Sequence, residues 1–383
     1  MSDEDIPVGL RLQEGREARL LTQVELGGRV GLTRASISAY EKGLRTPGIE
    51  TLNRIATSLE LPISYFRSSR PNRETRNTPL SYRRKSRASL GRLRQVERLE
   101  EWLADIHTVF TKYVALPELN LTFIDDGFET LDEDRIEEAA SEVRTRWGMG
   151  IGPVADLTAF AEANGIVIGE TDIEQDVDGA SDWRGDRPFV VLNSRVASCA
   201  RQRFNLAHEL GHIVLHRLAD ETDFERPEQH KRLEAQANRF AQAFLFPARA
   251  YSREVPNIRF DYLIELKRRW KVSMQAIVMR GKALGIIDEY QVGYFYRQLA
   301  EHGFSRTHEP LDNELTMESP ALFFRATQML NEQGGVSLLD LVDDATLAVQ
   351  DFCMLTGIDP TILSNRPQAK IIVLNPNYKH VTS

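Results

Sequence analysis

Apolar positions recur at three- and four-residue intervals through most of this chain, and at intervals of two in only a few short places. Between residues 9 and 66, Leu26, Val30, Ile37, Leu52, Ile55, Ala56 and Leu59 are spaced as the inward stripes of short helices. Five helices fit this stretch. Thr22 can cap a helix running to about Val30, and Gly31 tolerates the left-handed backbone of a tight turn. Thr33 caps a following helix to about Lys42, and Gly43 ends it. Two helices joined by a tight turn, the second capped at its start, predict a helix-turn-helix.

The pattern then stops. Arg67–Arg94 holds ten basic residues, one acidic residue and two prolines, Pro71 and Pro79, a composition that forms no packed core. It reads as a linker: either an arm that contacts phosphates or a solvated spacer. Helical spacing resumes at Val96, Leu99, Leu103, Ile106 and Phe110, and again over Glu133–Arg146. "GPVADLTAFAEANGIVIGE" reads as helix then strand, and "PFVVLNS" (Pro188–Ser194) as a strand that could accept an extended peptide beside it. Phe204–His216 is apolar nearly all round, so it predicts a buried helix. Glu234–Pro247 has a core-facing stripe of Ala237, Phe240, Ala241, Phe244 and Leu245, with Glu234 in its first turn. Beyond residue 288, "GYFYRQLAEHGFSRTHEP" and "ESPALFFRATQML" read as helical and "AKIIVLNP" as a late strand; His302 and His308 stand alone and read as surface residues.

The expected order is an all-α helix-turn-helix domain (1–66), a basic linker (67–94), a mainly helical domain with a small β-sheet (95–287) and a mostly helical C-terminal region (288–383), an α+β chain as a whole. Of the 383 residues, 42% are hydrophobic and 27% charged, as in globular proteins. Cys199 and Cys353 are the only cysteines and stand in no metal spacing, which fits a reducing compartment. Neither a signal peptide nor a membrane-length apolar run is present, so a cytoplasmic protein without a membrane partner is expected. The net charge of -8 is uneven: residues 1–94 carry 18 Lys and Arg against 10 Asp and Glu, which points that end toward nucleic acid.

The buried helix raises the chemical question, because it holds His208, Glu209 and His212. On a helix, residues four apart lie about 40° apart around the axis, so both imidazoles enter one cleft. Neutral imidazoles are good zinc ligands, and the intervening glutamate is placed to move a proton rather than bind metal. Burying these three groups without a partner would be costly. His216 cannot join the same ion, since eight residues of helix rise about 12 Å; it reads as a supporting residue. Glu234 is the better third ligand, and Asn238, four residues on, can hydrogen-bond a ligand histidine. Two histidines and a glutamate leave one position open, the mark of hydrolytic rather than structural zinc. An oxyanion stabiliser is sought among Tyr262, Arg268 and Arg269.

Two resemblances follow from these residues. Residues 9–66, with "TQ.EL", "S.YE.G.R.P" and "LNRIA", resemble the Xre/Cro family of repressor-like DNA-binding domains. Carried over, that resemblance implies that Thr33, Arg34, Ala35, Ser36 and Ala39 meet the major groove of an operator, with Gln23 bracing the backbone and Arg34 the best candidate for a bidentate guanine contact. "RQRFNLAHELGHIVLH" followed by "EAQANRFAQAFLFP" resembles the ImmA/IrrE metallopeptidases over roughly residues 130–285. It implies a zincin-like fold, one Zn²⁺ per chain held by His208, His212 and Glu234, Glu209 as catalytic acid and base, and a protein substrate such as a repressor. Two functions stand side by side: a DNA-binding regulator with a working zinc endopeptidase, or a transcription factor whose metal domain is a sensor or scaffold. Whether it acts as a homodimer is left open.

Overall fold

A computed structural model describes residues 8–68, 81–84, 89–124, 126–173, 177–333 and 335–364. Five helices open the chain: α1 (Val8–Ala18), α2 (Gln23–Val30), α3 (Arg34–Glu41), α4 (Ile49–Leu59) and α5 (Ile63–Arg67). Their ends obey the local chemistry. Thr22 and Glu25 form a reciprocal capping box at the start of α2, and Gly31 closes it at φ 68°. Thr33 caps α3 by accepting from the Ser36 amide. All seven apolar positions expected inside are buried.

β1 (Ser81–Arg84) and α6 (Leu90–Thr111) come next, followed by α7 (Glu133–Arg146), α8 (Leu157–Ala163), β2 (Val167–Thr171), β3 (Val177–Arg184) and β4 (Arg187–Asn193). Then come α9 (Cys199–Leu215), α10 (Glu221–Glu225), α11 (Pro227–Leu245), α12 (Ala248–Glu254), α13 (Phe260–Trp270) and α14 (Met274–Ala283). The last are α15 (Glu289–Glu301), α16 (Leu322–Gln333), α17 (Leu338–Ala345) and α18 (Val349–Thr356), with a 3₁₀ turn at Pro360–Ser364. This is the α+β architecture expected: mostly helix around one small sheet.

The strand order is β1-β3-β4-β2. β3 runs antiparallel to both β1 and β4, and β2 runs parallel to β4. This corrects one expectation. "PFVVLNS" forms β4, but β4 is paired on both edges, so its backbone groups are already used and cannot accept an added peptide strand. Its unbroken apolar run has the same cause: neighbouring side chains point to opposite faces, and both faces are covered.

Two cores flank the sheet. On one face Ile168, Trp183, Val190 and Leu192 pack with α7, α9, α11, α13, α14 and α15. On the other, Val167, Ala180, Phe189 and Val191 pack with α6, the five N-terminal helices and α16–α18. The stretch read as a linker is thus partly structured, since β1 lies within it and Ser89 caps α6 at Leu90. α6 also serves both ends of the chain: Trp102 Nε1 donates to the Tyr65 hydroxyl at 3.2 Å, and the buried Glu100 accepts from Arg184 of β3 at 2.5 and 2.8 Å. Residues 288–364 form no core of their own among the described residues. α15 joins the first core through Val292, Phe295 and Leu299, and α16–α18 join the second. Arg19, in the turn just after α1, pairs with Asp351 of α18 at 2.6 Å. "AKIIVLNP" lies outside the described residues. His302 and His308 are exposed, His302 stacking on Phe260. No helix among the described residues is long and apolar enough to cross a membrane.

Candidate functional site

The site is built on α9 and α11. Ser198 caps α9, and nearly every residue of the helix is buried between the sheet and α11. α11 begins with Pro227 at its first position, where the missing amide hydrogen costs nothing. It therefore starts seven residues earlier than expected, and Glu234 sits in its interior rather than its first turn. The two helices meet at backbone contact. A Cβ added to Gly211 would lie 3.1 Å from both Cα and O of Ala237. That close approach brings the polar residues one turn away on each helix face to face.

His208 and His212 present their Nε2 atoms 3.1 Å apart. Glu234 Oε1 lies 3.2 Å from His212 Nε2, and its Oε2 lies 3.5 Å from His208 Nε2. The three donor atoms fall within 4.8 Å of one another. Both imidazoles are buried, at 0% and 3% exposure. Burial works to raise the Glu234 carboxyl, but hydrogen bonding and charge from the two histidines outweigh it and hold that carboxyl far below the usual range. Two imidazole nitrogens and an ionised carboxylate converging on one buried point are the donor set that zinc takes. The residues present fit such an ion.

The other nitrogen of each ring is engaged. His208 Nδ1 lies 3.2 Å from Asn238 Oδ1, and His212 Nδ1 lies 2.9 Å from His216 Nδ1. His216 ends α9 and does not reach the cluster. Burial first, and then the neighbouring His212, push its pKa well below that of a free imidazole.

Glu209 is fully buried and is not one of the three converging donors. Its Oε2 accepts a 2.7 Å hydrogen bond from the Ser181 hydroxyl of β3. Gly179, two residues back on the same strand, leaves room for the carboxylate: a Cβ there would lie 3.2 Å from Oε1. Gly179, Ser181, the role of Gly211, and Gln236, whose Oε1 lies 3.1 Å from His216 Nε2, were missed by sequence reasoning. The trace of Gly179 and Ser181 is the small-residue run Gly179-Ala180-Ser181, which names no partner.

The other site residues are not gathered here. Tyr262 donates to the Glu254 carbonyl at 2.7 Å, Arg268 pairs with Glu265, and Arg269 pairs with Glu254 at 3.1 Å. The three sought for an oxyanion are thus held by neighbours around α12 and α13. At the N-terminal end, Thr33, Arg34 and Ala35 are exposed at the start of α3, and Ser36 and Ala39 are half-buried on it. Gln23 donates to Glu41 Oε2 at 2.7 Å, and Arg16 pairs with the same carboxylate at 2.5 Å. That network locks α1, α2 and α3 together and holds the outer face of α3 in position.

The model of the helix-turn-helix family matches residues 12–66, and that of the IrrE N-terminal-like domain, the M78 peptidases, matches residues 161–282. The latter span is narrower than the roughly 130–285 expected. Among curated relatives, the HTH-type transcriptional regulator y4aM of Sinorhizobium fredii is 35% identical over 68 residues, covering 18% of this chain and 48% of the relative. The HTH-type transcriptional regulator y4wC of the same organism is 36% identical over 62 residues, covering 16% and 43%. The chain thus spans about half the length of the curated relatives it matches. A solved structure, Bacillus thuringiensis PlcR in complex with the peptide PapR7 and DNA, aligns at 12% identity over 93% of this chain and 95% of that one, with a TM-score of 0.15, too low to bear on fold or function. This chain therefore joins an N-terminal helix-turn-helix domain of the Xre type to a domain of the IrrE/ImmA-like M78 peptidase family.

Proposed function

We propose that this protein is a cytoplasmic, DNA-binding transcriptional regulator with a zinc-dependent endopeptidase site that cleaves a regulatory protein, such as a repressor. The observation that carries this reading is the convergence of His208, His212 and Glu234 with a separate buried acid, Glu209, on the adjoining face of the same helix. A site that only held metal would have no use for the fourth group.

His208, His212 and Glu234 would hold the ion, which in such a set supplies Lewis acidity toward a water and a peptide carbonyl. Glu209 takes the proton from the attacking water and returns it to the leaving amine. Ser181 holds the carboxylate in one orientation by donating to Oε2. Asn238 orients His208. At the other end, Arg34 and its neighbours on α3 read operator bases, and the basic residues of 67–94 add salt-dependent phosphate contacts. A homodimer would let two such helices read a two-fold operator.

A second reading has an observation of its own. The N-terminal helices share a core with α6, the sheet and α16–α18, and Arg19 and Asp351 tie the two ends together. A metal domain packed in this way can act as a sensor that alters DNA occupancy without turnover. One experiment separates the two. Zinc-loaded protein is incubated with repressors encoded near its gene, and fragments are sought by mass spectrometry, with Glu209→Gln as control. Fragments that require Glu209 support the peptidase. A cleavage-dead, zinc-loaded Glu209→Gln protein that still responds normally in cells defeats the peptidase reading of its regulatory role.

A further inference from the structure

Four buried groups form a directed hydrogen-bond chain that ends on a metal-facing nitrogen. Gln236 Nε2 lies 2.7 Å from the Phe128 carbonyl and 3.4 Å from that of Leu131. Carbonyls only accept, so the amide must turn its NH₂ toward them and its Oε1 the other way. That oxygen lies 3.1 Å from His216 Nε2. It too only accepts, so His216 carries a proton on Nε2. His216 Nδ1 lies 2.9 Å from His212 Nδ1. A neutral imidazole has one N–H, so His216 Nδ1 accepts and His212 donates from Nδ1. His212 is left with its lone pair on Nε2, the atom that faces His208 Nε2 and Glu234.

We propose that Gln236 and His216 are positioning residues that set the tautomer and ring orientation of His212, fixing it as a metal ligand from the carbonyl of Phe128. This rests on the metal-site reading above. The logic runs consistently from both ends. If the proton of His216 stood on Nδ1, His212 would have to accept there and carry its own proton on Nε2, where it could not ligate. The groups are held where water cannot substitute: His212 and His216 are each 3% exposed and Gln236 is 6% exposed. The two ligand histidines are thus oriented differently. His208 is oriented by one amide oxygen, that of Asn238. His212 is oriented through a second imidazole anchored to the Phe128–Leu131 turn, so the seating of that turn is transmitted to the metal ligand.

The test uses the full-length protein, with zinc affinity measured by competition against a chromophoric chelator. His216→Phe fills the space but cannot accept, and Gln236→Leu removes the anchor. Each is expected to weaken zinc binding 10–100-fold, the usual effect of losing such a partner. His216→Asn keeps an acceptor near the Nδ1 position and should stay within a few-fold of the parent. Long-range ¹H–¹⁵N spectra of histidine-labelled protein should show His212 protonated on Nδ1 in the parent and in His216→Asn, and a mixture in His216→Phe. Zinc-free melting curves check folding, and Gln236→Leu serves if His216→Phe does not fold. Parent-like zinc affinity with an unchanged His212 tautomer in the Phe and Leu variants overturns the proposal. Equal losses in His216→Asn and His216→Phe overturn it too, since volume rather than the hydrogen bond would then matter. None of these readouts is turnover. A protein that binds zinc as described but cleaves nothing defeats the peptidase reading and leaves this one standing, whereas one that binds no zinc defeats both.

Discussion

The hydroxyl of Ser181 on β3 donates a 2.7 Å hydrogen bond to Oε2 of Glu209 on α9. This contact joins the sheet to the helix at the buried acid that stands next to His208 in the chain. Hydrogen bonds to charged groups contribute about 1.5–3 kcal/mol, so Ser181→Ala should lower cleavage roughly 10–100-fold. Zinc content should not change, because no ligand is touched. Steady-state cleavage of an identified substrate with parallel metal analysis checks this, and unchanged kcat/KM would remove Ser181 from the site.

Gly211 lies where α9 and α11 touch, with Ala237 backbone atoms 3.1 Å from any added Cβ. Gly211→Val must push the helices apart or distort them, and such overpacking costs about 1–3 kcal/mol. The ligands straddle this contact, so zinc affinity should fall as well. Chelator competition and thermal melts read the two effects, and a Gly211→Val protein with parent-like zinc affinity would show that the contact does not position the ligands.

Removing the metal should destabilise the domain that carries it. A ligand that binds only the folded state adds about 2.7 kcal/mol at a hundred times its Kd. Zinc should therefore raise the melting temperature of the parent protein, and a strong chelator should reverse the gain. Glu234→Ala should abolish most of this response. A Glu234→Ala protein stabilised by zinc as strongly as the parent would exclude Glu234 as a ligand.

Arg34 is exposed at the start of α3. Arg34→Ala should cost ~1–3 kcal/mol on the true operator and relax specificity at one base pair. Binding to unrelated DNA should change much less. Titrations on operator and scrambled duplexes at one salt concentration decide it, and equal losses on both would mark Arg34 as a phosphate contact.

His107 on α6 meets Phe189 of β4 edge-on, and burial, then the nearby Arg187, push its pKa down to about 4. The unfolded chain takes up this proton near pH 6.5, whereas the folded protein does so only near pH 4. The contribution is thus fully present above pH 6.5 and is lost as pH falls toward 4, by up to about 3 kcal/mol. His107→Phe should flatten stability across that window. Denaturant melts from pH 4 to pH 7 test it, and an unchanged slope would show that His107 is protonated normally.

Much of this protein was legible in its residues because the relevant physics is local. A cap needs only its own next three residues, so Thr22, Thr33 and Gly31 announce the helix-turn-helix. Residues four apart on a helix share a face whatever surrounds them, so His208 and His212 were legible as a pair, and the same geometry kept His216 out of their cluster. Glu234 lies 22 residues beyond His212, and only the approach of Gly211 to Ala237 sets its distance from the histidines. Ser181 and Gln236 carry no motif, because a hydrogen bond across elements leaves no spacing to read. An apolar strand does not state how many partners it has, which is why β4 looked available and proved internal. Likewise an apolar stripe requires burial but does not name its partner. Tertiary packing alone decided that α6 and α16–α18 would close one core with the N-terminal helices rather than stand apart.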